Sequence, residues 1–125
     1  MYTQLLTIAA VMVALDAVWL TARGAATRTM FAAIQGSPIV LRWIPAAIVY
    51  VLMIAGLWWF AVRDVTSWIT AAQKGAALGA VVYGVYDFTN YATITRWELP
   101  YAIADLAWGT FLFAATAAAA VAATA

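Results

Sequence analysis

Neither cysteine nor histidine occurs anywhere in the 125 residues. The first absence removes disulfides, and the two together remove thiolate and imidazole metal sites, so a bound metal would have to be a hard cation held by oxygen. No cofactor and no metal centre is predicted. Charge is scarce as well, at 9% of residues where soluble domains carry about a quarter. Six basic and five acidic side chains leave a net charge of +1 with no basic block, which excludes the electrostatic footprint of a nucleic-acid binder. No Lys or Arg precedes the first apolar run, and Asp16 interrupts it, so that run is expected to be retained rather than cleaved as a signal peptide.

What is there is apolar: 68% of the residues are hydrophobic, a balance that belongs to a membrane protein. The pattern predicts an all-α integral membrane four-helix bundle, up-down antiparallel, in one domain over residues 1–125, with spans at about 5–22, 43–62, 71–92 and 101–121. Between the first two, the Arg23 to Arg42 connection is polar enough to lie outside the hydrocarbon. Thr29 to Gln35 suits a short interfacial helix there, because Met30, Phe31 and Ile34 share one side before the Gly36-Ser37-Pro38 break. Pro45 and Pro100 fall in first turns, where a missing amide hydrogen does little harm. Thr66 and Ser67 are available to cap the third helix. In that helix Gly75 and Gly79 stand at GxxxG spacing with Ala72, Ala76, Ala80 and Gly84, a small-residue surface suited to close helix approach.

Four spans put both termini on one side with Arg63 and Lys74, and Arg23, Arg28, Arg42 and Arg96 on the other. The excess of the second set turns those loops toward the cytoplasm and the termini toward the periplasm. Relative to the arginine-rich side, Asp16 lies seven residues before Arg23, Asp87 nine before Arg96, and Asp105 nine after it. At helical rise all three carboxylates sit roughly 10 Å inside the polar boundary, where exposure to lipid is costly, so they are expected to face one another. Helical spacing stacks Trp19 on Asp16, Tyr83 and Asn90 on the Asp87 face, and Tyr101 and Trp108 on the Asp105 face. D-x-x-W occurs twice, in LDAVWL and ADLAWG, so each of those aspartates comes with an indole that can donate to it. A proton, a cation, or an arginine such as Arg23 or Arg96 is needed to balance three neighbouring carboxylates in low dielectric.

The plainer reading is that Asp, Asn and Trp side chains only hold helices together in lipid, each contact adding about 0.6 to 2 kcal/mol. Trp43, Trp58, Trp59, Trp68 and Trp97 are expected to be interfacial anchors. Tyr83 and Tyr86 suit either core or pocket. Arg63, Asp64, Lys74 and Glu98 read as solvated loop charges. The second span carries no carboxylate or basic group and reads as the one given to lipid contact and packing.

LDAVWL, then YDFTNYAT, then DLAWGT make up a set that resembles an uncharacterised family of small bacterial four-span predicted membrane proteins, the domain of unknown function 2177 family. The most specific element is matched by Tyr86, Asp87, Thr89, Asn90, Ala92 and Thr93. The resemblance implies a bacterial inner-membrane location and carries no activity.

Three functions compete at this stage. The first is an aspartate pocket of Asp16, Asp87, Asn90 and Asp105, with Trp19, Tyr83 and Trp108, that binds or moves a proton, a hard cation or a cationic small molecule. A single four-span protomer makes a thin pathway, so this reading expects a homodimer. The second is a membrane-embedded lipid-modifying enzyme with one Asp as base, another as acid, and a lipid ligand. No nucleophile elbow, phosphate loop or DDxxD element supports it, and the balance leans against an enzyme. The third is a structural subunit that docks on a larger complex through the Gly75 and Gly79 face.

Overall fold

A computed structural model describes residues 1–125 and contains four α-helices and no strand: α1 (Tyr2–Gln35), α2 (Trp43–Leu57), α3 (Trp68–Thr93) and α4 (Leu99–Ala123). The predicted helical bundle is what the chain forms, and the helices overrun the expected spans at both ends of α3 and α4.

The largest departure is α1. It has 34 residues, about 50 Å of helix, against a hydrocarbon thickness of about 30 Å. The separate interfacial helix does not exist; residues 29–35 are the last two turns of α1. Nothing between Arg23 and Gln35 interrupts a helix. Ala25, Ala26, Ala32 and Ala33 are strong formers, and the Thr29 hydroxyl donates back to the Ala25 carbonyl at 2.9 Å. The helix stops at Gly36, whose φ of 74° is easily reached only without a Cβ and whose N–H donates to the Ala32 carbonyl. Gln35 fastens the following break by donating from Nε2 to the carbonyls of Ser37, at 3.0 Å, and Pro38, at 2.9 Å.

The second span divides into α2 and a π-helical turn, Trp58–Val62, closed by the Arg63 N–H on the Trp58 carbonyl. Trp58 donates from Nε1 to Gln4 Oε1 of α1 at 2.9 Å, while Trp59 faces outward under the Arg63 guanidinium, 3.6 Å from its ring centre. Ser67 caps α3, its Oγ accepting the Thr70 N–H at 3.4 Å. Because that bond is long, Ser67→Ala is expected to cost only about 0.5 kcal/mol, the low end for a cap, and to move a detergent-phase melting curve by a few degrees at most. Pro100 occupies the first turn of α4.

α3 and α4 form the tightest pair. Gly75 lies under the Phe113 carbonyl, Gly79 under that of Gly109, and Gly109 lies against the Tyr83 ring. The GxxxG face is therefore consumed inside the chain, against α4. It is not free to dock on a larger complex, which corrects that part of the structural-subunit reading. The main core gathers Ile8 and Met12 of α1, Leu57, Ala61 and Val62 at the π turn, Ala71 of α3, and Leu112, Phe113 and Ala117 of α4. A second small core holds Met30, Trp97 and Ala102 at the other end. Asp16, Asp87 and Asp105 are buried between the two.

Only 22 of the 125 residues are buried, and Leu6, Val18, Val51, Phe60, Val81 and Phe111 are among the large apolar side chains left outside. Such an outer surface suits lipid rather than water. α1, α2 with its π turn, and α4 are each long and apolar enough to cross a membrane. α3 has the length, with 26 residues, but Gln73, Lys74, Asp87 and Asn90 keep it below the apolarity of the other three.

Candidate functional site

Asp16 is held by two other helices. The Tyr50 hydroxyl of α2 donates to its Oδ2, and Trp108 Nε1 of α4 donates to its Oδ1 at 3.1 Å. The expected local partner, Trp19, has a different role. One turn along α1 it stacks on Trp108, with ring centres 4.8 Å apart and planes 4° from parallel, and the Arg23 guanidinium lies 5.7 Å from its ring centre. The D-x-x-W pairing is thus made across the bundle on one side only: the indole on Asp16 comes from the α4 motif, and Trp19 donates to neither acid. The reason is geometric, since side chains three apart on one helix point roughly parallel, whereas a facing helix can aim an N–H directly at the carboxylate.

Asp87 differs in kind. It is fully buried, and neither carboxylate oxygen has a hydrogen-bond partner. Its polar neighbours are the Asp105 carboxyl and the Trp97 indole, whose Nε1 is itself buried and unpartnered. Trp97 is therefore no interfacial anchor. It is 5% exposed, with Phe31, Tyr86 and Tyr101 rings around it at centroid distances of 5.4, 5.8 and 5.6 Å. The 94–98 turn folds back over the helix ends and carries Trp97 inward, while Trp43, Trp59 and Trp68 stay exposed as expected.

Asp105 sits between the other two acids, with Arg23 also within electrostatic range. Arg23 makes no ion pair, and its Nε is buried without a partner. Arg96 is not a counter-charge. It donates to the Ala33 carbonyl at 2.9 Å and ties the 94–98 turn to the far end of α1. The Tyr83 hydroxyl donates to Met53 Sδ at 4.0 Å and lies within electrostatic range of all three acids and Tyr50, with its ring edge-on to Phe113. Asn90 is half-buried beside the Tyr86 hydroxyl and makes no side-chain hydrogen bond to Asp87. Tyr101 lies next to Thr27 of α1.

Asp105 also closes the inner end of a cavity of ≈ 460 Å³ between α2 and α3, where Val49, Tyr50, Leu52 and Met53 face Val82, Tyr83 and Tyr86. The donor set is oxygen only: carboxylates and phenols, with one guanidinium behind them. Such a set suits a proton, a hard cation or an ammonium-type group.

Two residues of the site are not marked as such by the sequence: Tyr50, and Trp97, which reads there as an anchor. Tyr50 was findable: it is the lone hydroxyl in an otherwise apolar span, and a phenol at that depth needs a partner. No comparable signal marks Trp97, whose burial depends on how the turn folds.

No curated protein and no solved structure matches this chain. One family does, over residues 1–122, described as predicted membrane protein (DUF2177). The match runs through LDAVWL, YDFTNYAT and DLAWGT and includes the three buried acids, α1 to α3 and all of α4 but its last residue. With its apolar helices and lipid-suited surface, the chain belongs to the predicted membrane protein family DUF2177.

Proposed function

We propose that the protein is a multi-pass inner-membrane bundle in which all four helices cross the bilayer and Asp87 and Asp105 take up a cationic ligand: a proton, a hard cation or a cationic small molecule. Asp16 closes one side of that site. The observation that carries this reading is Asp87, fully buried with both carboxylate oxygens unpartnered, next to a second carboxylate that lines a cavity. An acid used only to bind helices together has its donors in place, as Asp16 does. Two buried carboxylates without donors favour a positive partner, since desolvation and mutual repulsion otherwise go unopposed. α3 tolerates its polar residues because Asp87 faces inward and Lys74, seven residues from the Ser67 cap, can extend its stem toward the boundary. On this reading the termini face the periplasm and two protomers associate.

The test is calorimetric titration of the protein in nanodiscs with tetramethylammonium. Asp87→Asn and Asp105→Asn are each expected to weaken binding at least about tenfold, about 1.4 kcal/mol, with the fold unchanged. Folded variants with wild-type affinity would remove the carboxylates from the site. A lipid-modifying enzyme is the second reading, favoured by the apolar walls of the cavity. A lipid species missing or accumulated in a strain without the protein would support it; an unchanged lipid profile counts against it.

A further inference from the structure

The cavity that ends at Asp105 has its mouth in an unusual place. The residues on its rim are exposed on the long sides of two helices: Val49 at 52% and Leu52 at 67% on α2, Val82 at 39% and Tyr86 at 49% on α3. Leu52 is nine residues into α2, and Val82 is fourteen residues from the start of α3 and eleven from its end. The opening is therefore near mid-height of the bundle. Around it stand further exposed apolar side chains, Ile48 and Val51 on one helix and Val81 and Val85 on the other. In a bilayer this is hydrocarbon, not water.

α2 can stand apart from α3 because its attachments lie elsewhere. Leu57 is its only buried residue, the π turn that follows joins the main core, and Tyr50 reaches across to Asp16 on α1. The cavity walls are apolar over their whole depth apart from phenol hydroxyls, and the single charged group lies at the inner end. Asp87, buried and unpartnered, stands directly behind that group and adds to its charge, with Arg23 the one cation nearby. The volume falls within the range of small-molecule pockets, about 300 to 1,000 Å³.

We infer that the ligand is an amphipathic cation, an ammonium or phosphonium group carrying an apolar body, and that it reaches Asp105 sideways from the bilayer through the opening between α2 and α3. This rests on the cation-binding reading and names its ligand class and route. A bare metal ion or a compact hydrophilic ammonium partitions poorly into the hydrocarbon at that mouth and has no apolar body to bury against the walls, so it takes the same carboxylates more weakly. An apolar body instead partitions into the bilayer, fills the cavity against Val49, Leu52 and Val82, and leaves its charge at the carboxylates. The Tyr50, Tyr83 and Tyr86 rings present faces suited to an onium group on the way in.

The test compares two cations on the protein in nanodiscs, with empty nanodiscs as baseline: tetraphenylphosphonium, which is lipophilic, and tetramethylammonium, which is compact. Tetraphenylphosphonium is expected to bind at least tenfold more tightly. Val82→Trp and Leu52→Trp, each placed at an exposed rim position on opposite walls, are expected to abolish that advantage, lowering tetraphenylphosphonium affinity at least tenfold more than tetramethylammonium affinity. Equal affinity for the two cations, or a preference that survives both tryptophans, overturns the lateral amphipath while leaving the carboxylate site standing. Loss of the response to Asp87→Asn and Asp105→Asn for both cations overturns the cation reading itself. The cation pair is measured on the unaltered chain, so the inference stays testable even if a tryptophan variant fails to assemble.

Discussion

Gly109→Leu is expected to keep the bundle from assembling. A Cβ at Gly109 would collide with three carbons of the Tyr83 ring, and the ring has little freedom to retreat, being edge-on to Phe113 with its hydroxyl on Met53 Sδ. Directly alongside, Gly79 lies under the Gly109 carbonyl, so the contact is backbone on backbone and no rotamer change relieves it. Overpacking a core costs typically about 1 to 3 kcal/mol when side chains can shift. Where α3 and α4 must move apart as whole helices, the loss is expected to reach at least about 3 kcal/mol. The readout is a monodisperse peak in mild detergent, present for wild type and lost for the variant. Gly56→Ala is the control. Nothing lies within 4 Å of a Cβ there, so the exchange is expected to be neutral or to stabilise α2 by up to about 1 kcal/mol. A Gly109→Leu protein that melts like wild type would mean that α3 and α4 do not meet at this glycine.

The second large effect separates the acids by role. Asp16→Ala strands two donors, the Tyr50 hydroxyl and Trp108 Nε1, and leaves the long Tyr83 hydroxyl contact with Met53 Sδ as the only side-chain hydrogen bond from the middle of α2 to the bundle. With each interhelical contact worth about 0.6 to 2 kcal/mol in lipid, the expected loss is about 1 to 4 kcal/mol. Asp16→Asn keeps one carbonyl acceptor and is expected to lose about half as much. Asp87→Asn strands no donor, because neither carboxylate oxygen accepts a hydrogen bond and the Asp105 carboxyl beside it can take the new amide, so its stability is expected to stay within about 1 kcal/mol of wild type. Thermal unfolding in detergent gives the order directly. If Asp87→Asn were the more damaging change, the division between a structural acid and a ligand-binding acid would fail.

The legibility of this protein in its sequence varies by element. The Gly36-Ser37-Pro38 stop, the Ser67 cap and the Pro100 start are local signals, each depending on φ preferences or one nearby donor, and each lies where the chain turns. The end of α1 is less legible: Arg23 and Arg28 mark the end of the hydrocarbon, and a helix can continue past Arg23, but polarity does not say how far it runs or that residues 29–35 belong to it rather than to a separate helix. Polarity reports where lipid stops, while helix formation follows backbone preference, and the alanines there continue α1 to Gln35. The common depth of Asp16, Asp87 and Asp105 was readable because helical rise converts sequence separation into height. Their hydrogen-bond partners were not, since Trp108 and Tyr50 reach Asp16 from separations of 92 and 34 residues.

Taken alone, the residue order determined an apolar, helical, membrane-suited chain, the level at which its acids are buried, and the small-residue face on α3. All of these follow from composition, period and rise, which are properties of single segments. Only the tertiary structure decided that the glycine face is spent on α4, that Trp97 turns inward while Arg96 turns away, and that Asp16 is satisfied while Asp87 is not. It also decided that α2 stands off from α3 and leaves a side opening to Asp105. Those outcomes depend on which helix faces which and at what rotation, and that is set by the close approach at Gly75, Gly79 and Gly109 across long stretches of chain.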